Sequence, residues 1–159
     1  KVPDEKKVGY ITQTTLSLDD TAEIITALIK RFPEIKGPAK DDICYATQNR
    51  QNAVKALSKE VDLVLVVGAE NSSNSLRLLE VAQTTGVKAR RIESAAELNP
   101  DWLEGVKKIG ITAGASAPED IVQGIVSGLQ KMCSSNDIST LELVKEDVTF
   151  ALPASLRNS

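Results

Sequence analysis

Residues 61–67, Val-Asp-Leu-Val-Leu-Val-Val, form a nearly unbroken aliphatic run, and it is soon followed by five consecutive hydrogen-bonding side chains, Asn-Ser-Ser-Asn-Ser, at 71–75. So apolar a run lacks the in–out alternation of a half-exposed strand and belongs to a strand buried on both faces, as in parallel sheets. Parallel neighbours need long crossover connections, which places helices on both sides of the sheet.

The rest of the chain supplies these parts. Residues 73–85 read as a helix with Leu76, Leu79 and Ala82 inward and Gly86 as its stop. A strand at 88–92, a short helical piece at 100–104, a strand at 108–112 and a helix at 118–132 continue the alternation. Upstream, residues 47–59 carry a helical stripe of Ala53, Val54 and Leu57. Before that, β-branched and aromatic residues predict a strand at 8–12. Ser17, Asp19 and Asp20 then open a helix with Ile24, Ile25, Leu28 and Ile29 on its inward face, stopped at Phe32-Pro33. Two prolines and Gly37 between 33 and 42 mark a unit boundary, and 148–152 is a candidate last strand before an irregular tail. The expected class is α/β, a parallel sheet flanked by helices, in a chain of 159 residues, long enough to bury a sizeable core.

Charge and composition exclude several functions. A net charge of −3 gives no broad basic field for nucleic acid. No apolar run approaches the roughly 20 residues of a membrane span, and no signal-peptide pattern opens the chain, so a cytoplasmic location is expected. The two cysteines, Cys44 and Cys133, follow no CxxC spacing, which leaves no disulfide framework or closed zinc site. Histidine is absent, so neither a Ser/His nor a Cys/His nucleophile pair can be assembled from this chain.

Ligands of parallel α/β sheets bind where strands hand over to helices, and four such loops stand out. Thr12-Gln13-Thr14-Thr15 offers three hydroxyls and an amide, readable as a capping cluster or as a ligand contact. Residues 71–75 follow the buried strand at a helix N-terminus, whose free amides and positive dipole end stabilise an anion. One cap needs one such side chain; the alternative is a generous cap plus turn. In Thr112-Ala113-Gly114-Ala115-Ser116-Ala117-Pro118, small residues let a ligand approach the backbone and Ser116 can meet it. No GxGxxG or Walker lysine pattern is present to support a dinucleotide or nucleoside triphosphate. In Asp41-Asp42-Ile43-Cys44-Tyr45-Ala46-Thr47 a thiol precedes a helix, as an activated ligand or a small buried residue.

Taken together in this order, TQTTLSLDDT, DDICYATQNRQ, NSSNS and TAGASAP resemble the 4-hydroxy-3-methylbut-2-enyl diphosphate reductase family, LytB or IspH, from about residue 8 to 152. The resemblance implies reductive dehydroxylation of an allylic diphosphate to isopentenyl and dimethylallyl diphosphate, the last step of the non-mevalonate isoprenoid pathway. The chemistry falls to a [4Fe-4S] cluster held by three cysteines, the third matching Cys44. By the same matching, Ser72, Ser73, Asn74 and Ser116 hydrogen-bond the diphosphate. Thr14 orients the substrate alcohol and relays a proton, with Gln13 as a neighbour.

The resemblance also implies a three-unit fold, of which this chain holds the end of the second unit (1–38) and most of the third (39–152), with a tail at 153–159. Two further cluster cysteines, the diphosphate-binding histidines and a proton-donating glutamate belong upstream and are absent from these 159 residues. The implied partners are that N-terminal part and an electron donor such as ferredoxin or flavodoxin. The leading reading is therefore a C-terminal portion of the reductase, inactive alone; the alternative is a diphosphate-binding module without redox activity.

Overall fold

The computed structural model describes residues 2–16, 18–38, 45–133 and 137–143. Three parallel strands, β1 (Leu63–Val67), β2 (Lys88–Ile92) and β3 (Ile109–Ala113), form a sheet in the order β2-β1-β3. Register pairs Leu63 with Lys88 and with Ile109, and Val67 with Ile92 and with Ala113. All three strands therefore finish level with one another. The central strand is the aliphatic run, and its five side chains are at most 1 % exposed. Burial of each contributes about 1.5–3 kcal/mol. The edge strand β2 carries Lys88, Arg90 and Arg91, charges that discourage edge pairing with another chain.

Helices cover both faces. On one, α2 (Tyr45–Leu57) and α3 (Ser73–Thr84) bring Val54, Leu78, Val81 and Ala82 against Val64 and Val66. On the other, α4 (Glu119–Cys133) brings Ile125 and Leu129 against Leu63, Leu65, Val67 and Ile92. Leu98, just after a 3-10 turn at Ala95–Glu97, and Trp102 and Leu103, from a second at Pro100–Leu103, fill the space beside them. Gly86 at φ 86 ends α3. α1 (Leu18–Arg31) is tied to α2 by polar contacts, Lys55 Nζ to Asp19 Oδ2 at 2.6 Å and Gln51 Nε2 to the Leu16 carbonyl at 2.9 Å.

Three expectations change. The strand at 8–12 reduces to one bridge, Gly9 with Lys36, because it meets no neighbouring strand among the described residues. On α1, Ile24 and Ile29 are 59 % and 49 % exposed and only Ile25 and Leu28 are half-buried. On α3 the buried residues are Ser75, Leu78, Val81 and Ala82; Ala82 and Leu79 pack on the core as expected, and of the expected stripe only Leu76, 48 % exposed, faces outward. The stretch at 39–44, with Cys44, and the candidate strand at 148–152 lie outside the described residues.

Candidate anion site

The three strands end on one side of the sheet, and the turns leaving β1 and β3 lie next to each other there. Their ladder runs on past the strand ends, with the Gly68 N–H donating to the Ile92 carbonyl at 3.1 Å and the Gly114 N–H to Val67 at 2.9 Å. Between the turns sits the side chain of Ser75, 1 % exposed. A Cβ at Gly68 or Gly114 would overlap its hydroxyl, so both turns need glycine for contact rather than for unusual torsions.

Ser72 is the N-cap of α3. Its Oγ accepts the Ser75 N–H at 3.2 Å and the Ser75 hydroxyl at 3.0 Å. The capping explanation thus accounts for Ser72 in part, and with both bonds accepted, its own hydroxyl hydrogen is left to donate elsewhere. Asn74 carries the less ordinary feature: both Nδ2 and Oδ1 are buried and lack a hydrogen-bond partner. Its amide lies near the β3 turn, with Nδ2 3.7 Å from where a Gly114 Cβ would stand. Leaving such groups unpaired costs about 1–3 kcal/mol each, and a native chain retains that cost mainly where another molecule supplies the partner.

A cavity of about 180 Å³ opens beside these groups, lined by Gly68, Ala69, Ser72, Ser75, Ser116 and Glu93 with an apolar wall that includes Ile121. Ser116 is exposed in the β3 turn, which closes with the Ala117 N–H on the Gly114 carbonyl at 3.0 Å. Pro118 lies one position before α4 rather than inside it, its carbonyl accepting the Val122 N–H. Small size, the N-terminus of α3 and two serine hydroxyls suit an oxyanion, although the Gly68, Glu70, Ser72, Gly114 and Ala117 amides are already donated within the fold.

The expected residues divide. Ser72 and Ser116 line the cavity, and Asn74, itself outside that lining, lies against the β3 turn at Gly114. Ser73, the first residue of α3, is exposed and outside the cavity lining. Gln13 and Thr14 are exposed and also outside it. Cys44 lies outside the described residues, and among those described no group of three or more His, Cys, Asp or Glu side chains is placed to hold a metal. Cys133 is free and exposed. No helix of the described residues is long and apolar enough to cross a membrane.

Supporting residues that the sequence did not announce hold both turns from behind. Arg50, on α2, donates from Nη1 to the Ala113 carbonyl at 3.0 Å. Arg91 donates from Nη1 to the Gly68 carbonyl at 3.0 Å and to Glu93 Oε1 at 2.6 Å. Glu93 Oε1 in turn accepts the Glu70 N–H at 2.7 Å. The Arg91 guanidinium first, and the Glu70 amide after it, hold the Glu93 carboxyl below its ordinary pKa.

Known proteins resemble this chain along most of its length. The family described as "LytB protein" matches residues 1–130. A 4-hydroxy-3-methylbut-2-enyl diphosphate reductase of Acidithiobacillus ferrooxidans is 57 % identical over 150 residues, 94 % of this chain and 47 % of the relative. The Shewanella oneidensis enzyme of the same name is 52 % identical over 157 residues, 99 % of this chain and 49 % of the relative. The solved E-1-hydroxy-2-methyl-but-2-enyl-4-diphosphate reductase of Plasmodium falciparum superposes with a TM-score of 0.74 at 40 % identity, covering 78 % of this chain and 39 % of that one. The chain thus spans about half the length of the relatives it matches. With relatives more than half identical along almost its whole length and a family match over most of it, this chain belongs to the LytB family.

Proposed function

We propose that this chain forms the diphosphate-holding part of a 4-hydroxy-3-methylbut-2-enyl diphosphate reductase. The observation that carries the reading is Asn74, whose two buried amide atoms lack a partner and whose Nδ2 stands 3.7 Å from the Cβ position of Gly114, in the turn that bears Ser116, although Asn74 does not itself line the cavity. The diphosphate oxygens accept between them from Asn74 Nδ2, from the Ser72 and Ser116 hydroxyls and from the amides at the start of α3, with Ser73 at the outer edge. A protonated phosphate oxygen or an ordered water donates to Asn74 Oδ1. The apolar wall at Ile121 suits an uncharged hydrocarbon portion better than a further charge.

The described residues by themselves do not fit an iron-sulfur cluster. They offer no converging ligand set, and the whole sequence has two cysteines, fewer than such clusters ordinarily use. Cys44 is proposed as one thiolate and Thr14 as the hydroxyl that orients the substrate alcohol, in a centre completed by residues outside this chain. In that centre the electron donor is a further partner, and the reaction removes the allylic hydroxyl by two electrons and two protons.

Two measurements test the reading. Calorimetry of the 159-residue chain with the allylic diphosphate should show binding that its monophosphate analogue and sulfate do not match; no heat with the diphosphate refutes the anion assignment. Anaerobic cluster reconstitution followed by a reductase assay should give no turnover from the chain alone. Turnover would overturn the incomplete-centre reading.

A further inference from the structure

Glu93 presents an electrostatic oddity: it is a carboxylate on the wall of a cavity read as an anion site. A negative charge there opposes a diphosphate unless the residue gives something in return. Its contacts show what that is. Oε1 accepts the Glu70 N–H, inside the turn that runs from β1 to the α3 cap, and the Arg91 guanidinium that compensates its charge also grips the Gly68 carbonyl at the start of that turn. The Glu93 backbone is fixed as well, its N–H donating to Glu97 Oε2 at 3.3 Å. The turn is thus held at a carbonyl and at an amide two residues further on, both from the end of β2.

We infer that Glu93, with Arg91, is a positioning residue that holds the turn at 68–72 in the shape that presents the Ser72 hydroxyl and the α3 amides to the anion. This rests on the diphosphate reading above. Glu93 belongs to the edge strand's exit loop, makes none of the sheet's own bonds and is exposed, so its bonds to the turn are not needed to build the core. Two opposing predictions separate positioning from simple charge. If Glu93 acts only as a nearby charge, removing it strengthens anion binding; if it holds the turn, removing it weakens binding although the net charge has become more favourable.

The test is calorimetry of the full 159-residue chain with inorganic diphosphate, comparing wild type, Glu93→Ala and Glu93→Gln, with thermal midpoints taken alongside. Gln retains a carbonyl oxygen for the Glu70 N–H, so Glu93→Gln should bind within about threefold of wild type. Glu93→Ala should bind about tenfold more weakly, the order expected for losing one anchored donor to an anion. Equal or tighter binding by Glu93→Ala overturns the inference, as does an equal loss in both variants. Hydrogen exchange in the ligand-free chain gives a second readout: the Glu70 amide should be protected in wild type and Glu93→Gln and released in Glu93→Ala. Wild-type chain that fails to bind diphosphate refutes the anion reading, and unchanged exchange at Glu70 refutes the turn-holding role separately.

Discussion

The two ends of the sheet solve the same local problem with opposite results. Where the strands begin, Asp62 Oδ2 accepts the Lys107 and Lys108 N–H groups at 2.8 and 2.9 Å, closing the entry to β3. Where they end, Glu93 accepts Glu70 N–H, but the adjoining Asn74 keeps both polar atoms buried and unspent. The Ser58 hydroxyl at the first end is also unpartnered, yet it is a single group beside a wide surface depression edged by Val61, Val87 and Val106. At the second end an amide, two hydroxyls and a helix N-terminus converge across two glycines. A polar group that is fully satisfied within the fold builds structure; several left buried and unpaired beside one another carry a desolvation cost that a bound partner would offset.

Glycines at the two ends give the largest expected contrast. Gly68→Ala drives a methyl into Ser75 and should cost about 1–3 kcal/mol in urea unfolding, together with most of the diphosphate affinity. Gly105 at φ 72 has open space where a Cβ would be, so Gly105→Ala should cost about 1–2 kcal/mol of backbone strain and leave affinity unchanged. Equal loss of affinity in both would break the distinction between the ends.

Asn74→Leu should move stability and binding in opposite directions. Removing two orphaned polar atoms should raise stability by about 1 kcal/mol while lowering diphosphate affinity at least tenfold. Thermal melts with calorimetry check this, and a variant both less stable and unaltered in affinity would make Asn74 a packing residue.

The smallest effect is the acid limb. Asp62 is held below its ordinary carboxyl pKa by the Lys108 and then the Lys107 amide, and Glu93 by Arg91 and then Glu70. Lowered folded values mean that both contributions are present above the unfolded values of 3.8 and 4.5 and fade as pH falls through the folded ones. Asp62→Asn should therefore lose stability against wild type at pH 6, and the gap should narrow below pH 3.8 in urea midpoints. A gap independent of pH would show that charge on Asp62 does not matter.

The legible parts of this chain were those whose signal is local. The run of five buried aliphatics fixes a central strand, and the hydroxyl-rich segment after it fixes a helix start at Ser73, because burial and capping act over a few residues. The phase of that helix was legible only in part, for Leu79 and Ala82 pack inward and Leu76 does not. Leu76, Leu79 and Ala82 make as good a stripe as Ser75, Leu78, Val81 and Ala82, and a serine is an unpromising marker of the interior. The fold decides it, since only the second choice lets a small hydroxyl fill the gap left by two glycines that are 46 positions apart in sequence. The exposed Ile24 and Ile29 of α1 teach the same lesson, for an apolar stripe does not state what it packs against.

By itself the sequence determined the class of fold, the position of the turns that leave the strands and, through the four motifs, the family. Tertiary structure decided which of those residues meet. Ser72, Ser116 and Glu93 come to line one cavity, with Asn74 against the neighbouring β3 turn and Arg91 bound to Gly68 and Glu93, because parallel register sets Val67 level with Ile92 on one side and Ala113 on the other. That register comes from packing both faces of β1 at once, a condition distributed over three strands and three helices, so no single stretch of the sequence could display it.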